Sequence, residues 1–150
     1  MRCLVLAVGR CRDRPILELV ERYRARLPWP LELAEVEAAT GDPQRRRFEE
    51  GRALLARLTR DDLLVALDER GETLTSLELA RRVGRWREEG RRVVFAIGGA
   101  DGLDPAVTAR ADLVLALGRL TLPHELARLL LVEQLYRAHS ILAGHPYHRA

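Results

Sequence analysis

The chain predicts an α/β fold: a mostly parallel sheet with helices on both faces. Three observations carry it. Short apolar runs recur at Arg2–Val8, Asp62–Leu67, Arg92–Ile97 and Leu113–Leu117, the length of strands buried on both sides. Charged segments with helix caps lie between them. Strands that alternate with helices pair in parallel and bury both faces under the helices. The 150 residues, 47% hydrophobic and 31% charged, suit one domain (residues 1–150) with one core.

Taken in order, Arg2–Val8 is the first strand, stopped by Gly9. Asp13 caps a helix with Pro15 in its first turn, running to about Leu27, with Leu17, Val20, Tyr23 and Leu27 on one side. Pro28-Trp29-Pro30 ends it. Leu31–Glu37 alternates apolar and acidic residues, as an edge or half-buried strand does. Asp42-Pro43 opens a charged helix over Gln44–Thr59. Its Arg45-Arg46-Arg47 patch is followed at once by Glu49 and Glu50, which reads as a solvated face, with contact to an RNA backbone as the alternative.

Asp62–Leu67 is the third strand, ended by Asp68-Glu69-Arg70-Gly71. Thr75 or Ser76 caps the next helix, which Gly90 terminates after Glu89. Arg92–Ile97 runs into Gly98-Gly99, and Asp104-Pro105 opens a short helix. Leu113–Leu117 is the fifth strand, and Pro123 stands in the first turn of a helix reaching about Leu142. That last helix is apolar over more than a single stripe, from Leu126 to Leu142, so it is buried on more than one side. In a domain this small a subunit interface is the natural second surface.

All 25 basic residues are Arg, which forks onto phosphate and stacks on bases; the same usage also follows from genome composition or heat adaptation. The net charge is only +3. Without Lys there is no Lys-dependent phosphate site or Schiff base, and neither GxGxxG nor a P-loop is present. The two cysteines form no metal quartet or disulfide framework: Cys3 reads as a buried hydrophobe, and Cys11, in a charged loop, is expected to be exposed. No metal is expected. The apolar N-terminus is too brief for a signal peptide and no run spans a membrane, so a cytoplasmic protein is expected.

Ligands of open α/β sheets sit beyond the carboxyl ends of the strands. Here those ends are Leu67-Asp68, Gly98-Gly99 and Leu117–Pro123. Gly98-Gly99 reads either as a tight turn or as a place where backbone approaches a ligand. Leu117–Pro123 has few polar side chains, so it would hold a ligand by backbone and apolar contact, as an adenine can be held. All four histidines, His124, His139, His145 and His148, lie in the C-terminal region. The tail GHPYHRA gathers imidazole, phenol and guanidinium groups suited to proton transfer or phosphate binding. A helix of about 20 residues spans roughly 30 Å, whereas the tail from Gly144 reaches at most about 25 Å. The tail therefore serves a partner's pocket across a two-fold interface, if it serves that pocket at all.

At these residues the chain resembles the RlmH family, the ribosomal RNA large-subunit pseudouridine N3-methyltransferases of the SPOUT class. The matching segments are Ala7–Arg10, Tyr23 with Arg26-Leu27, LDERGETLTS at Leu67–Ser76, FAIGGADGL at Phe95–Leu103, LTLPHELARLLLVEQLYRA at Leu120–Ala138 and HPYHR at His145–Arg149. The resemblance covers essentially the whole chain and is weakest between Thr40 and Asp61. It implies an α/β-knot fold with a C-terminal trefoil knot, a homodimer, and S-adenosyl-L-methionine bound by Leu67, Gly99, Gly118, Arg119, Leu120, Thr121, Leu122 and Pro123. Gly118 and Arg119 are less typical of the family and would act through backbone. The implied reaction methylates N3 of a pseudouridine in large-subunit rRNA within the ribosome. Tyr147 and His148 are the implied proton-transfer residues, and Arg149 would stabilise the developing imidate or hold a phosphate. The competing readings are a SPOUT enzyme acting on tRNA and a non-catalytic ribosome- or nucleotide-binding module.

Overall fold

A computed structural model describes residues 1–149. Five strands form one sheet in the order β2-β1-β4-β3-β5: β1 (Arg2–Val8), β2 (Leu31–Val36), β3 (Leu63–Thr73), β4 (Arg92–Ile97) and β5 (Leu113–Ala116). All four strand pairings are parallel. Side chains of a strand alternate between faces, and β1 shows the result. Cys3, Val5 and Ala7 enter one core, while Leu4, Leu6 and Val8 enter the other.

The first core lies under α1 (Arg14–Ala25), α3 (Ser76–Glu89) and α5 (His124–Ala143), which contribute Val20, Val83 with Trp86, and Leu131 with Leu135. The second lies under α2 (Pro43–Leu55) and α4 (Pro105–Arg110), which contribute Leu54 and Val107. The α/β fold with helices on both faces is thus the fold observed. α5 packs between α1 and α3, so most of its wide apolar arc is covered inside the chain. Leu126, Leu130 and Leu142 remain exposed on it.

Local chemistry sets the helix starts. Asp13, Asp42 and Asp104 each accept a backbone N–H of the first turn, followed by Pro, and Thr75 with Glu78 forms a reciprocal capping box. Pro123 is the N-cap of α5 rather than a residue of its first turn.

Several boundaries differ from the sequence reading, most by one residue. α1 ends at Ala25, two residues before Leu27. α2 ends at Leu55, not Thr59, because the chain tightens at Arg57 and Leu58 and the Thr59 amide turns to the Asp62 carboxylate at 2.8 Å. β5 ends at Ala116 rather than Leu117. β3 does not end at Leu67: it leaves the ladder at Asp68 and rejoins β5 at Glu72 and Thr73, so that Leu67 and Glu72 both face Leu115. Gly71 permits the return, since a Cβ there would stand 2.5 Å from the Val114 carbonyl oxygen. Cys11 is also not exposed. It is 5% accessible, its amide donating to Glu35 at 2.7 Å.

Candidate functional site: a cleft at the strand ends and a docked tail

The carboxyl ends of β3, β4 and β5 open into a cleft of about 1040 Å³. Three chain segments form its walls: Leu67–Arg70 from the β3 detour, Gly98–Leu103 after β4, and Leu117–His124 before α5. Its volume is at the upper end for small-molecule sites, about 300–1000 Å³. The inner wall is apolar, with Leu67, Ile97, Leu115, Leu117 and Leu122.

The loop after β4 is built by close approach. A Cβ on Gly98 would stand 2.7 Å from the Gly102 carbonyl carbon, so only glycine lets the loop fold back on itself. The Gly102 amide then closes the turn onto the Gly99 carbonyl at 3.0 Å. Asp101 pins this loop to α2: Arg46 donates to it through Nε at 2.8 Å and Nη2 at 3.0 Å. Hydrogen bonding to Arg46 holds the Asp101 carboxyl below its usual range. The arginine patch is therefore not merely a solvated face, since Arg46 braces the loop and Arg47 lines the cleft.

The facing loop is held differently. Among the described residues, the amides of Gly118, Arg119, Leu120, Thr121 and Leu122 donate to no acceptor in the chain. The Thr121 hydroxyl donates to Glu69 at 2.7 Å, joining two lips of the cleft. Leu120 stands 82% exposed at the tip. Of the eight residues implied as cofactor contacts, Leu67, Gly99, Gly118, Leu120, Thr121, Leu122 and Pro123 line the cleft, and Arg119 does not.

Beside the cleft a charged cluster fixes the start of α5. Arg128 is buried and pairs with Glu35 at 2.8 Å. Burial raises the Glu35 carboxyl, but the Cys11 amide and Arg128 outweigh it and leave it below its usual range. His124, on the cleft wall, has a buried Nδ1 with no partner among the described residues.

The tail is docked rather than frayed. The Tyr147 hydroxyl donates to Glu133 Oε1 at 2.9 Å and lies 3.4 Å from the Tyr23 hydroxyl. Tyr147 meets the Tyr136 ring edge-on at 4.7 Å, and the Arg137 guanidinium sits 4.9 Å over the Tyr147 ring. Arg137 also bonds Glu133 at 2.6 and 3.1 Å and the His148 Nδ1 at 3.2 Å. Burial, then the Tyr23 and Glu133 contacts, push the Tyr147 phenol above its usual range, so it stays neutral. Arg149 is exposed.

Within one chain, then, Tyr147, His148 and Arg149 do not meet the cleft, whose walls contain none of them. The tail doubles back only to Glu133, about 14 Å along the helix from His124. Sequence reasoning missed Glu69, Glu133 and Arg137, and read Arg46 and Arg47 only as a solvated or RNA-facing patch. Glu133 and Arg137 carried a signal, an acid four residues before a base on a helix. Arg46 and Asp101 carried none, lying 55 residues apart.

Among the described residues no group of three or more His, Cys, Asp or Glu side chains is arranged to hold a metal ion. Among the described residues no helix is long and apolar enough to cross a membrane.

Comparison with known proteins identifies relatives of the chain. The family model described as "Predicted SPOUT methyltransferase" matches residues 1–148. The chain is 53% identical over 154 residues to a protein of Rhodospirillum centenum named ribosomal RNA large subunit methyltransferase H, covering 100% of both chains. A protein of the same name from Brucella anthropi is 50% identical over 160 residues, again covering 100% of both. Another from Acidiphilium cryptum is 48% identical over 149 residues, covering 99% of this chain and 94% of its own. A match over nearly the whole chain, on a parallel sheet with its cleft at the strand ends, places this protein in the SPOUT methyltransferase family.

Proposed function

We propose that this protein methylates large-subunit ribosomal RNA, with S-adenosyl-L-methionine as methyl donor and N3 of a pseudouridine in the assembled ribosome as acceptor. The carrying observation is end-to-end identity of about half to proteins named ribosomal RNA large subunit methyltransferase H. The cleft suits such a cofactor: an apolar inner wall accepts an adenine, and the free amides of Gly118–Leu122 offer donors to its polar edge. Leu67, Gly99 and Gly118 to Pro123 would hold it, with Arg119 acting through its backbone amide. The trefoil knot of the class is read at these loops, which face the β3 detour across the cleft.

Held by Leu67, Gly99 and the Gly118–Pro123 segment, the cofactor would supply an electrophilic methyl group to N3. The protein must hold N3 in line and assist loss of the imide proton, because neutral N3–H offers no lone pair. Tyr147, His148 and Arg149 are the groups for this work, and the docked tail holds them away from its own cleft. The working enzyme is therefore a homodimer, with each tail completing the partner's site.

The thermal test is addition of S-adenosylhomocysteine, which raises the melting temperature if the cleft binds it. Mass spectrometry of large-subunit rRNA from a strain lacking the protein should show one pseudouridine without its methyl. A full complement of methyl groups refutes the substrate. Single alanine substitutions of Tyr147, His148 and Arg149 that all leave methylation unchanged refute the catalytic tail.

A further inference from the structure

We infer that Arg137 is a positioning residue that sets the tautomer of His148, so that the imidazole offers Nε2–H as a hydrogen-bond donor rather than a lone pair as a base. The inference rests on the catalytic tail proposed above and gives His148 its chemical role.

The argument begins with what Arg137 can and cannot do. A guanidinium has donors only. Arg137 is fixed in place, forking onto Glu133 Oε1 through Nη2 at 2.6 Å and Nε at 3.1 Å and lying 4.9 Å over the Tyr147 ring. Its Nη1 stands 3.2 Å from His148 Nδ1. Since Arg137 cannot accept, Nδ1 must supply the lone pair. Neutral imidazole has one N–H and one lone pair. The proton therefore sits on Nε2. A base role needs the reverse tautomer, which would set an Nδ1–H against a guanidinium N–H.

Within the chain, His148 Nε2 is buried and has no partner among the described residues. A buried donor left unmet is costly, and an outward shift of the tail as substrate docks would expose it to a ligand acceptor. The substrate chemistry supplies the acceptor. As the imide loses its proton, negative charge spreads onto the two flanking carbonyl oxygens, and an N–H aimed at one of them stabilises that charge. The N3 proton passes to water. Tyr147 does not compete for it, because its phenol stays protonated and its hydroxyl donates a hydrogen bond to Glu133.

The test uses the full-length dimer with large ribosomal subunits from a strain lacking the modification. Long-range proton–nitrogen correlation on the uncomplexed protein, at mildly alkaline pH, reads the tautomer directly. The expected result is Nε2–H in the wild type and in Arg137→Lys, which keeps a cationic donor, with a mixed population in Arg137→Met. An Nδ1–H signal in the wild type overturns the inference. Single-turnover rates give the second readout. His148→Gln places an amide donor near the same position but cannot act as a base, and it should keep the rate within about tenfold of wild type, whereas His148→Ala should lose about 100-fold, the effect of removing one such donor. Gln and Ala variants equally inactive, with S-adenosylhomocysteine still raising their melting temperatures, overturn the donor role. A fully active Ala variant overturns the donor role of His148; the catalytic tail itself falls only if the Tyr147 and Arg149 variants are fully active as well.

Discussion

Removing the Glu35 carboxylate tests the cluster that anchors α5 beside the cleft. The Arg128 side chain is 4% exposed, and its charged partner is Glu35, 33% exposed, at 2.8 Å. In Glu35→Ala the guanidinium keeps only the Gly9 carbonyl, at 3.5 Å, and its Nε already lacks a partner. The Cys11 amide also loses its acceptor at 2.7 Å. Stripping one member from a buried ion pair costs about 3–5 kcal/mol, and the part-exposed Glu35 side admits water, so about 3 kcal/mol is expected. At about 2–4 °C per kcal/mol for a domain of this size, the melting temperature should fall by about 6–12 °C. Glu35→Gln keeps an acceptor and should lose less. The pH dependence has a definite sign. The folded Glu35 carboxyl lies below its usual range, so its stabilisation is present above the unfolded value, about 4.3, and is lost as pH falls through the lower folded value. The gap between wild type and Glu35→Gln should be level at neutral pH and close in acid. Calorimetry across pH measures both. A melting temperature for Glu35→Ala within about 2 °C of wild type, or a gap that widens in acid, refutes the reasoning.

Three further outcomes are expected. Gly98→Ala would place a Cβ 2.7 Å from the Gly102 carbonyl carbon, which no side-chain movement relieves; about 1–3 kcal/mol of overpacking is expected, with loss of the S-adenosylhomocysteine thermal shift. Asp101→Asn removes the charge that Arg46 forks onto and should weaken S-adenosylhomocysteine binding by calorimetric titration while barely moving the melting temperature, because the pair is at the surface. Tyr147→Phe loses the hydrogen bond to Glu133 at 2.9 Å, about 1 kcal/mol, read from the urea midpoint at neutral pH. The folded phenol is raised, so its contribution is whole below the unfolded value, about 10, and fades as pH climbs above it; the Phe variant should lack that alkaline decline.

Much of the fold was legible because it is local. The apolar runs of β1, β3, β4 and β5 and the Asp-Pro and Thr caps depend on neighbours within a few residues. The β3 detour was not legible: Asp68–Gly71 has the composition of a turn, and only the register with β5 shows the strand resuming at Glu72. Cys11 looked exposed among charges, yet it is buried, with its amide on Glu35 and its thiol on Glu125, both distant in sequence. The cleft walls were read from glycines and strand ends, but Arg47 and Glu69 enter them only because α2 and the β3 detour fold against loops distant in sequence.

The tail divides the two kinds of knowledge. Its composition, and the helix length separating it from the cleft, could be read from the chain alone. So could the α/β class, since strand and helix periods are properties of short segments. What only the tertiary structure decided is which groups meet across the chain: Arg46 with Asp101, Glu35 with Arg128, and Arg137 with Tyr147 and His148. Hydrogen-bond roles and pKa directions follow from those meetings, because each depends on charges and donors within a few ångströms in space, whatever their separation along the chain.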